Sequence, residues 1–192
     1  MKKIAQFILK IIGWKVTGHF PTQYKKLVIL EAPHTANIDY FIGMMIIYSM
    51  GVKVNVIIKK EAFFWPLAGL LKKAGGVPID RSSKTSKVDA IAELFEKNET
   101  LNLGITPEGT RSLSTKWKKG YYYIALKAKV PIVCASLDYK KKEANFGLVI
   151  IPSGDYDKDF VQIEEYYKGL TAKHPEKYNL SPMYLEKEKR NK

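Results

Sequence analysis

The sequence predicts an α/β fold: a single domain with a largely parallel central sheet flanked by helices, and an N-terminal amphipathic helix. Short runs rich in Val, Ile and Leu alternate with longer stretches of helical periodicity, the pattern of strands joined by crossover helices. Runs such as 27–30 and 132–135 are apolar at every position, as strands are when both faces of a sheet are covered. A length of 192 residues suits one well-buried domain, and 46% hydrophobic residues is a globular rather than a disordered composition.

Taken in order, Ile4, Phe7, Ile8, Ile11 and Ile12 follow the i, i+3, i+4, i+7, i+8 spacing of an amphipathic helix. Lys2, Lys3, Gln6, Lys10 and Lys15 occupy much of the remainder, and Trp14 stands near the end. Such a helix either packs its stripe on its own domain or lies in a membrane surface. Strands are expected at 26–32, 54–59, 77–80, 101–106, 132–137 and 148–151, and helices at 38–50, 65–73, 84–97, 116–129 and 157–172. The expected organisation is a membrane-surface helix over 1–18, the main domain over 19–175 and a charged, loosely ordered tail over 176–192. The longest apolar stretch, 40–52, is too short for the roughly 20 residues a spanning helix needs. Lys10 interrupts the first apolar run and no small-residue cleavage site follows, so no signal peptide is expected.

Charge narrows the partners. Lys and Arg total 32 against 19 Asp and Glu, a net +13, which points to nucleic acid, an anionic membrane or a phosphorylated substrate. No nucleic-acid motif is present, and the Tyr121–Tyr122–Tyr123 cluster reads as a partly buried helix face rather than a base-stacking platform, so no nucleic-acid partner is expected. The single Cys134 excludes an internal disulfide and a cysteine zinc site; in its apolar surroundings it reads as a buried core residue.

Three short constellations follow expected strands. In Pro33-His34-Thr35-Ala36-Asn37-Ile38-Asp39, His34 and Asp39 stand five positions apart, so the two do not share a helix face. They meet if His34 lies in a strand-to-helix turn and Asp39 in the first helical turn, with Thr35 or Asn37 as the cap. Asp39 then accepts from one imidazole nitrogen and leaves the other to take a proton from a hydroxyl; the alternative is a loop histidine beside a cap. In Thr106-Pro107-Glu108-Gly109-Thr110-Arg111, Gly109 permits close backbone approach, and Thr110 with the Arg111 fork suits a phosphate oxyanion. Glu108 holds the loop or the arginine; the alternative is a solvated polar turn. In Gly75-Gly76-Val77-Pro78-Ile79-Asp80-Arg81, a glycine pair leads into a strand that ends on Arg81. The chain has three arginines, and two of them, Arg81 and Arg111, fall at strand ends where ligands of doubly wound sheets bind.

In their order, these blocks resemble the glycerolipid acyltransferase family, typified by 1-acylglycerol-3-phosphate acyltransferases. The family's blocks match here as His34-x4-Asp39, Gly76 to Arg81, Glu108-Gly109-Thr110-Arg111, and the strand Val130-Pro131-Ile132-Val133; the lead-in Ile58-Lys59-Lys60-Glu61 and Pro66-Leu67-Ala68-Gly69 is similar too. The resemblance runs over about residues 27–137. It departs at Pro33, where the family often has Asn, and at Cys134-Ala135-Ser136, where a second Pro is usual. The resemblance implies an O-acyltransferase of phospholipid synthesis: His34 as general base, Asp39 as its orienting partner, and a lysolipid acceptor of the glycerol-phosphate type. It further implies that Glu108, Gly109, Thr110 and Arg111, with Arg81 and Lys59, bind the acceptor phosphate. No metal or bound cofactor is implied; the co-substrate is an acyl thioester of coenzyme A or acyl carrier protein. The expected location is the cytoplasmic, inner face of the cell membrane, held peripherally on anionic lipid.

Overall fold

The computed structural model describes residues 2–79, 86–114 and 116–180. The chain runs α1 (Lys2–Ile11), β1 (Lys15–Gly18), β2 (Lys26–Glu31), α2 (Asn37–Met50), β3 (Asn55–Lys59), a 3-10 turn (Lys60–Ala62), α3 (Leu67–Lys73), β4 (Gly76–Ile79), α4 (Lys87–Lys97), β5 (Leu101–Ile105), α5 (Gly120–Ala128), β6 (Ile132–Asp138), β7 (Glu143–Ile150) and α6 (Tyr156–Tyr167). The seven strands form one sheet in the order β1-β7-β6-β2-β5-β3-β4. Among the described residues every pairing is parallel except β6 with β7.

Alternation along the strands builds two cores. Val28 and Leu30 of β2 face α4, α5 and α6, packing with Phe95, Tyr121, Tyr122, Phe160 and Tyr167. Leu27 and Ile29 face the other way, onto Leu9 of α1 and Ile42, Ile46 and Ile47 of α2. All four β2 residues are buried, which is why that strand reads as a continuous apolar run. Cys134 is likewise buried, and burial pushes its thiol up to about 12, so it is an inert core residue. Of the three consecutive tyrosines, Tyr121 and Tyr122 are buried and Tyr123 is exposed, as a helix face requires.

Connectivity places the ligand end. From β2 the chain crosses by α2 to β3, on one side; from β5 it crosses by α5 to β6, on the other side of β2. The loops diverge at the C-terminal end of β2, and a crevice of about 1140 Å³ opens there.

Several boundaries differ from the sequence expectation. β1 was not expected: its Lys15-Val16-Thr17-Gly18 is too short to show a pattern, and among the described residues it is an edge strand paired with β7. β7 starts at Glu143, not 148, because Ala144 and Phe146 alternate inward with polar neighbours; a search for continuous apolar runs passes over that stretch. α5 starts at Gly120 rather than 116, since the Lys118 amide donates to Pro107 O (2.8 Å) and ties 116–119 to the loop after β5. α6 stops at Tyr167, two residues before Gly169, which has a positive φ of 77°. The stretch after His174 is also better anchored than a loose tail: Trp117 Nε1 donates to Asn179 O at 3.1 Å, and Leu180 is buried. Residues 80–85 and 181–192, including Asp80, Arg81 and the rest of the expected tail, lie outside the described residues.

α1 packs on α2 through Ala5 and Leu9, and Gln6 Nε2 donates to Ser49 O at 3.1 Å. Its Ile and Phe stripe points away: Ile4, Phe7 and Ile11 are 64%, 65% and 67% exposed. Among the described residues, no helix is long and apolar enough to cross a membrane.

Behind the sheet, buried Asp159 accepts from Tyr122 Oη (2.8 Å), Ser153 N (2.6 Å) and Ser153 Oγ (2.9 Å), fastening α6 to α5. Asp159→Ala leaves the buried Tyr122 hydroxyl without its acceptor, while the exposed Ser153 turns to water, and should cost about 1–2 kcal/mol. Urea denaturation should show a lower midpoint at unchanged slope; an unchanged midpoint would mean the network contributes nothing.

Candidate active site

His34 follows β2 in the turn before α2, and the turn is shaped by Asp39. Asp39 Oδ2 accepts the backbone N–H groups of Thr35 and Ala36, both at 2.8 Å, while Tyr139 Oη donates to Oδ1 at 2.5 Å. Asp39 is 1% exposed, so these three donors replace the water it has lost. The cap of α2 is thus Asp39 reaching back from the third helical position, not Thr35 or Asn37. Thr35 Oγ1 instead accepts from His174 N (3.1 Å), and Asn37 Oδ1 accepts from Arg111 Nη1.

His34 and Asp39 do come together. His34 Nδ1 lies 3.6 Å from Asp39 Oδ2, facing the carboxylate but beyond hydrogen-bond length, and among the described residues no other group partners it. Burial lowers the pKa of His34 below its ordinary 6.5; the Asp39 charge opposes this and Arg111 adds to it. The imidazole is therefore neutral at pH 7 and able to accept a proton. It lines the crevice together with Asn37, Gly109, Thr110 and Arg111.

The second loop is joined to the first by its acid. His34 N donates to Glu108 Oε1 at 3.0 Å, so Glu108 holds the histidine turn rather than Arg111. Parallel pairing of β2 with β5 brings the two strand ends side by side and makes this contact possible. Gly109 takes a positive φ of 63°, and Lys118 lies against its open side. Thr110 Oγ1 is used locally, accepting from Ser112 N at 3.2 Å. The exposed Arg111 reaches back to Asn37, so its guanidinium stands at the crevice mouth beside the histidine turn. Arg81 and the side chain of Lys59 lie outside the described residues; the backbone of Lys59 ends β3 at the same side of the sheet.

Three groups at or behind the dyad had not been singled out. Tyr139, one residue past β6, is a hundred positions from its partner Asp39, and burial and that carboxylate both push its hydroxyl up, keeping it a donor. Trp14 packs edge-on against its ring at 5.1 Å. Lys118 sits in a lysine-rich run where nothing distinguishes it. Glu31 did carry a signal, being the one charge in the apolar run 27–33. Among the described residues no cluster of His, Cys, Asp and Glu is arranged to hold a metal ion.

Two carboxyls beside the dyad are raised. Burial, then the Asp39 charge, pushes Glu31 up to about 7. Glu108 also rises to about 7, burial outweighing the backbone donors that it accepts. Since an unfolded glutamate titrates near 4.5, the folded chain holds extra protons between that value and about 7. Their stabilisation is complete below pH 4.5 and lost as pH rises through 7. Glu31→Gln should therefore gain stability relative to the parent between pH 5 and pH 8, read as the shift in urea midpoint. Parallel pH profiles for the two proteins would contradict the assignment.

Residues 14–138 match the family model described as Acyltransferase. A 1-acyl-sn-glycerol-3-phosphate acyltransferase of Cocos nucifera is 37% identical over 135 residues, covering 67% of this chain and 43% of the relative. One from Limnanthes douglasii is 36% identical over 140 residues, covering 68% and 47%; the chain thus spans about half the length of these relatives. The crystal structure of the 1-acyl-sn-glycerophosphate (LPA) acyltransferase PlsC from Thermotoga maritima shares the fold, with a TM-score of 0.56 at 18% identity over 89% of this chain and 80% of that one. With the family model spanning most of the sheet and both loops of the crevice, this chain belongs to the acyltransferase family.

Proposed function

We propose that the protein is an O-acyltransferase that moves a fatty acyl group from a thioester donor to the free hydroxyl of a 1-acylglycerol-3-phosphate-like lysolipid. The observation that carries this reading is the bond from His34 N to Glu108 Oε1, which locks the histidine turn to the Gly109–Arg111 loop. A proton acceptor and an anion-binding loop thereby face one crevice. The names of the relatives supply the substrate class.

In this mechanism His34 Nδ1 faces Asp39, and Nε2 takes the proton of the acceptor hydroxyl as its oxygen attacks the thioester carbonyl. The carbonyl C–S bond breaks when the tetrahedral intermediate collapses. The proton then passes from His34 to the departing thiolate, giving the ester and a free thiol. No acyl-enzyme forms: the only cysteine is buried, and the sequence has no G-x-S-x-G elbow. Arg111, Thr110 and the Gly109 backbone bind the acceptor phosphate, with Lys118 beside them and, by the resemblance, Arg81, Lys59 and the loop-holding Glu108. The donor is coenzyme A or acyl carrier protein, whose thioester is a co-substrate rather than a bound cofactor.

The acceptor's chain lies in a bilayer, and the exposed Ile4, Phe7 and Ile11 of α1, with Lys2, Lys3 and Lys10, fit an interfacial helix on anionic lipid. The protein accordingly works peripherally, on the cytoplasmic face of the cell membrane.

His34→Ala should abolish thiol release from an acyl thioester in the presence of lysolipid, with the circular dichroism spectrum unchanged. Asp39→Asn should lower kcat by about 10²-fold, since it removes the charge that steadies the imidazolium. Parental turnover by folded His34→Ala protein would defeat the mechanism.

A further inference from the structure

Beyond α1, a second apolar patch is left uncovered. Trp65 is 90% exposed and Phe64 57%, in the turn between the 3-10 turn and α3. Leu67 and Leu70, also exposed, stand three residues apart on α3 and so share a face. Lys72 and Lys73 follow, both exposed. An open tryptophan among three further apolar side chains is unusual on a soluble surface. An indole with an apolar body and an N–H donor fits the boundary between acyl chains and headgroups.

The topology says where the patch stands. Residues 60–66 leave the C-terminal end of β3; β3 is parallel to β5, and β5 to β2. The strands that deliver His34 and Glu108 therefore end on the same side of the sheet as the strand that delivers Trp65. Tyr40 and Phe41 of α2, both exposed, line the crevice itself.

We infer that Phe64, Trp65, Leu67 and Leu70 are a second insertion point on an anionic bilayer, pressing the crevice mouth onto the lipid so that the acceptor enters sideways from the membrane. This rests on the membrane reading above and not on acyl transfer itself. Charge selects the occupant: at +13 overall, with Lys72 and Lys73 beside the patch, the surface attracts anionic lipid and repels a second copy of the chain.

Trp14 and Trp117, the other two tryptophans, are buried, so a change in emission on adding lipid reports chiefly on Trp65. With phosphatidylglycerol-containing vesicles the emission should shift to the blue and be quenched by bromine-labelled acyl chains. High salt should reverse both effects, and phosphatidylcholine alone should produce neither. Trp65→Ala should weaken vesicle binding about tenfold, while thiol release with a dispersed short-chain acceptor stays unchanged. A Phe7→Ser, Ile11→Ser variant should bind vesicles more weakly but, at saturating lipid, still show Trp65 quenching.

Three results would overturn the inference. One is sedimentation with vesicles while Trp65 emission stays unshifted and unquenched, which leaves anchoring to α1 alone. Another is no vesicle binding at all. The last is a blue shift that grows with protein concentration in the absence of lipid, the mark of a second copy on the patch. Because emission reads lipid contact rather than turnover, quenching in a protein inert toward every lysolipid would sink the acyl-transfer reading and leave this one standing.

Discussion

A carboxylate with almost no access to water must find donors, and Asp39 finds them in two distant parts of the chain. Two come from the backbone of its own turn, at Thr35 and Ala36; the third is the hydroxyl of Tyr139, beyond the far end of β6. Satisfying that charge bends the chain after β2 into the turn that holds His34 at the crevice. Glu108 then takes the His34 amide and draws the loop after β5 against the same turn. Tyr139 is itself seated by Trp14 and by its amide, which donates to Thr171 O at 2.8 Å. The start of the chain, the β6–β7 turn and the segment after α6 therefore all bear on one carboxylate. Hydrogen bonds to a charged acceptor are the stronger kind, and a buried one left without them is costly.

Much of this could be read from the sequence because its physics is local. The strands buried on both faces announce themselves as apolar runs, and the two short motifs fall at strand ends because only there do turn and helix meet an open crevice. What could not be read depends on contacts between remote positions. The role of Tyr139 follows from the placement of β6 next to β2, which no spacing encodes. The capping role of Asp39 was hidden by better-known capping types, Thr35 and Asn37, and the geometry gave those two residues to His174 and Arg111 instead. Lys118 acquires its place against Gly109 only because its amide is fastened to Pro107. Glu31 was legible in principle: a charge inside an otherwise apolar strand run has to be housed somewhere, and here it stands at the crevice.

Surface and site fit together through charge and exposed apolar area. The stripe of α1 could have packed inward; instead Ala5 and Leu9 do the packing and the stripe stays exposed. The lysine surplus, the unburied stripe and the aromatic rim of the crevice all suit a substrate that is anionic at its head and confined to a bilayer. The low pKa of His34 suits it too. Burial keeps the imidazole neutral near pH 7, and in the proposed mechanism Asp39 stabilises the imidazolium once a proton is taken.

The proposal that one crevice holds both the proton acceptor and the acceptor's phosphate, with the acyl group passing directly between substrates, is tested most directly by mass spectrometry of a quenched turnover. The full chain is mixed with an acyl thioester and 1-acylglycerol 3-phosphate, and both the lipid and the intact protein are weighed. Direct transfer predicts a diacyl product that forms only when both substrates are present, with the protein at its unmodified mass throughout. A protein carrying an acyl group, or hydrolysis of the thioester with no diacyl product, would contradict it.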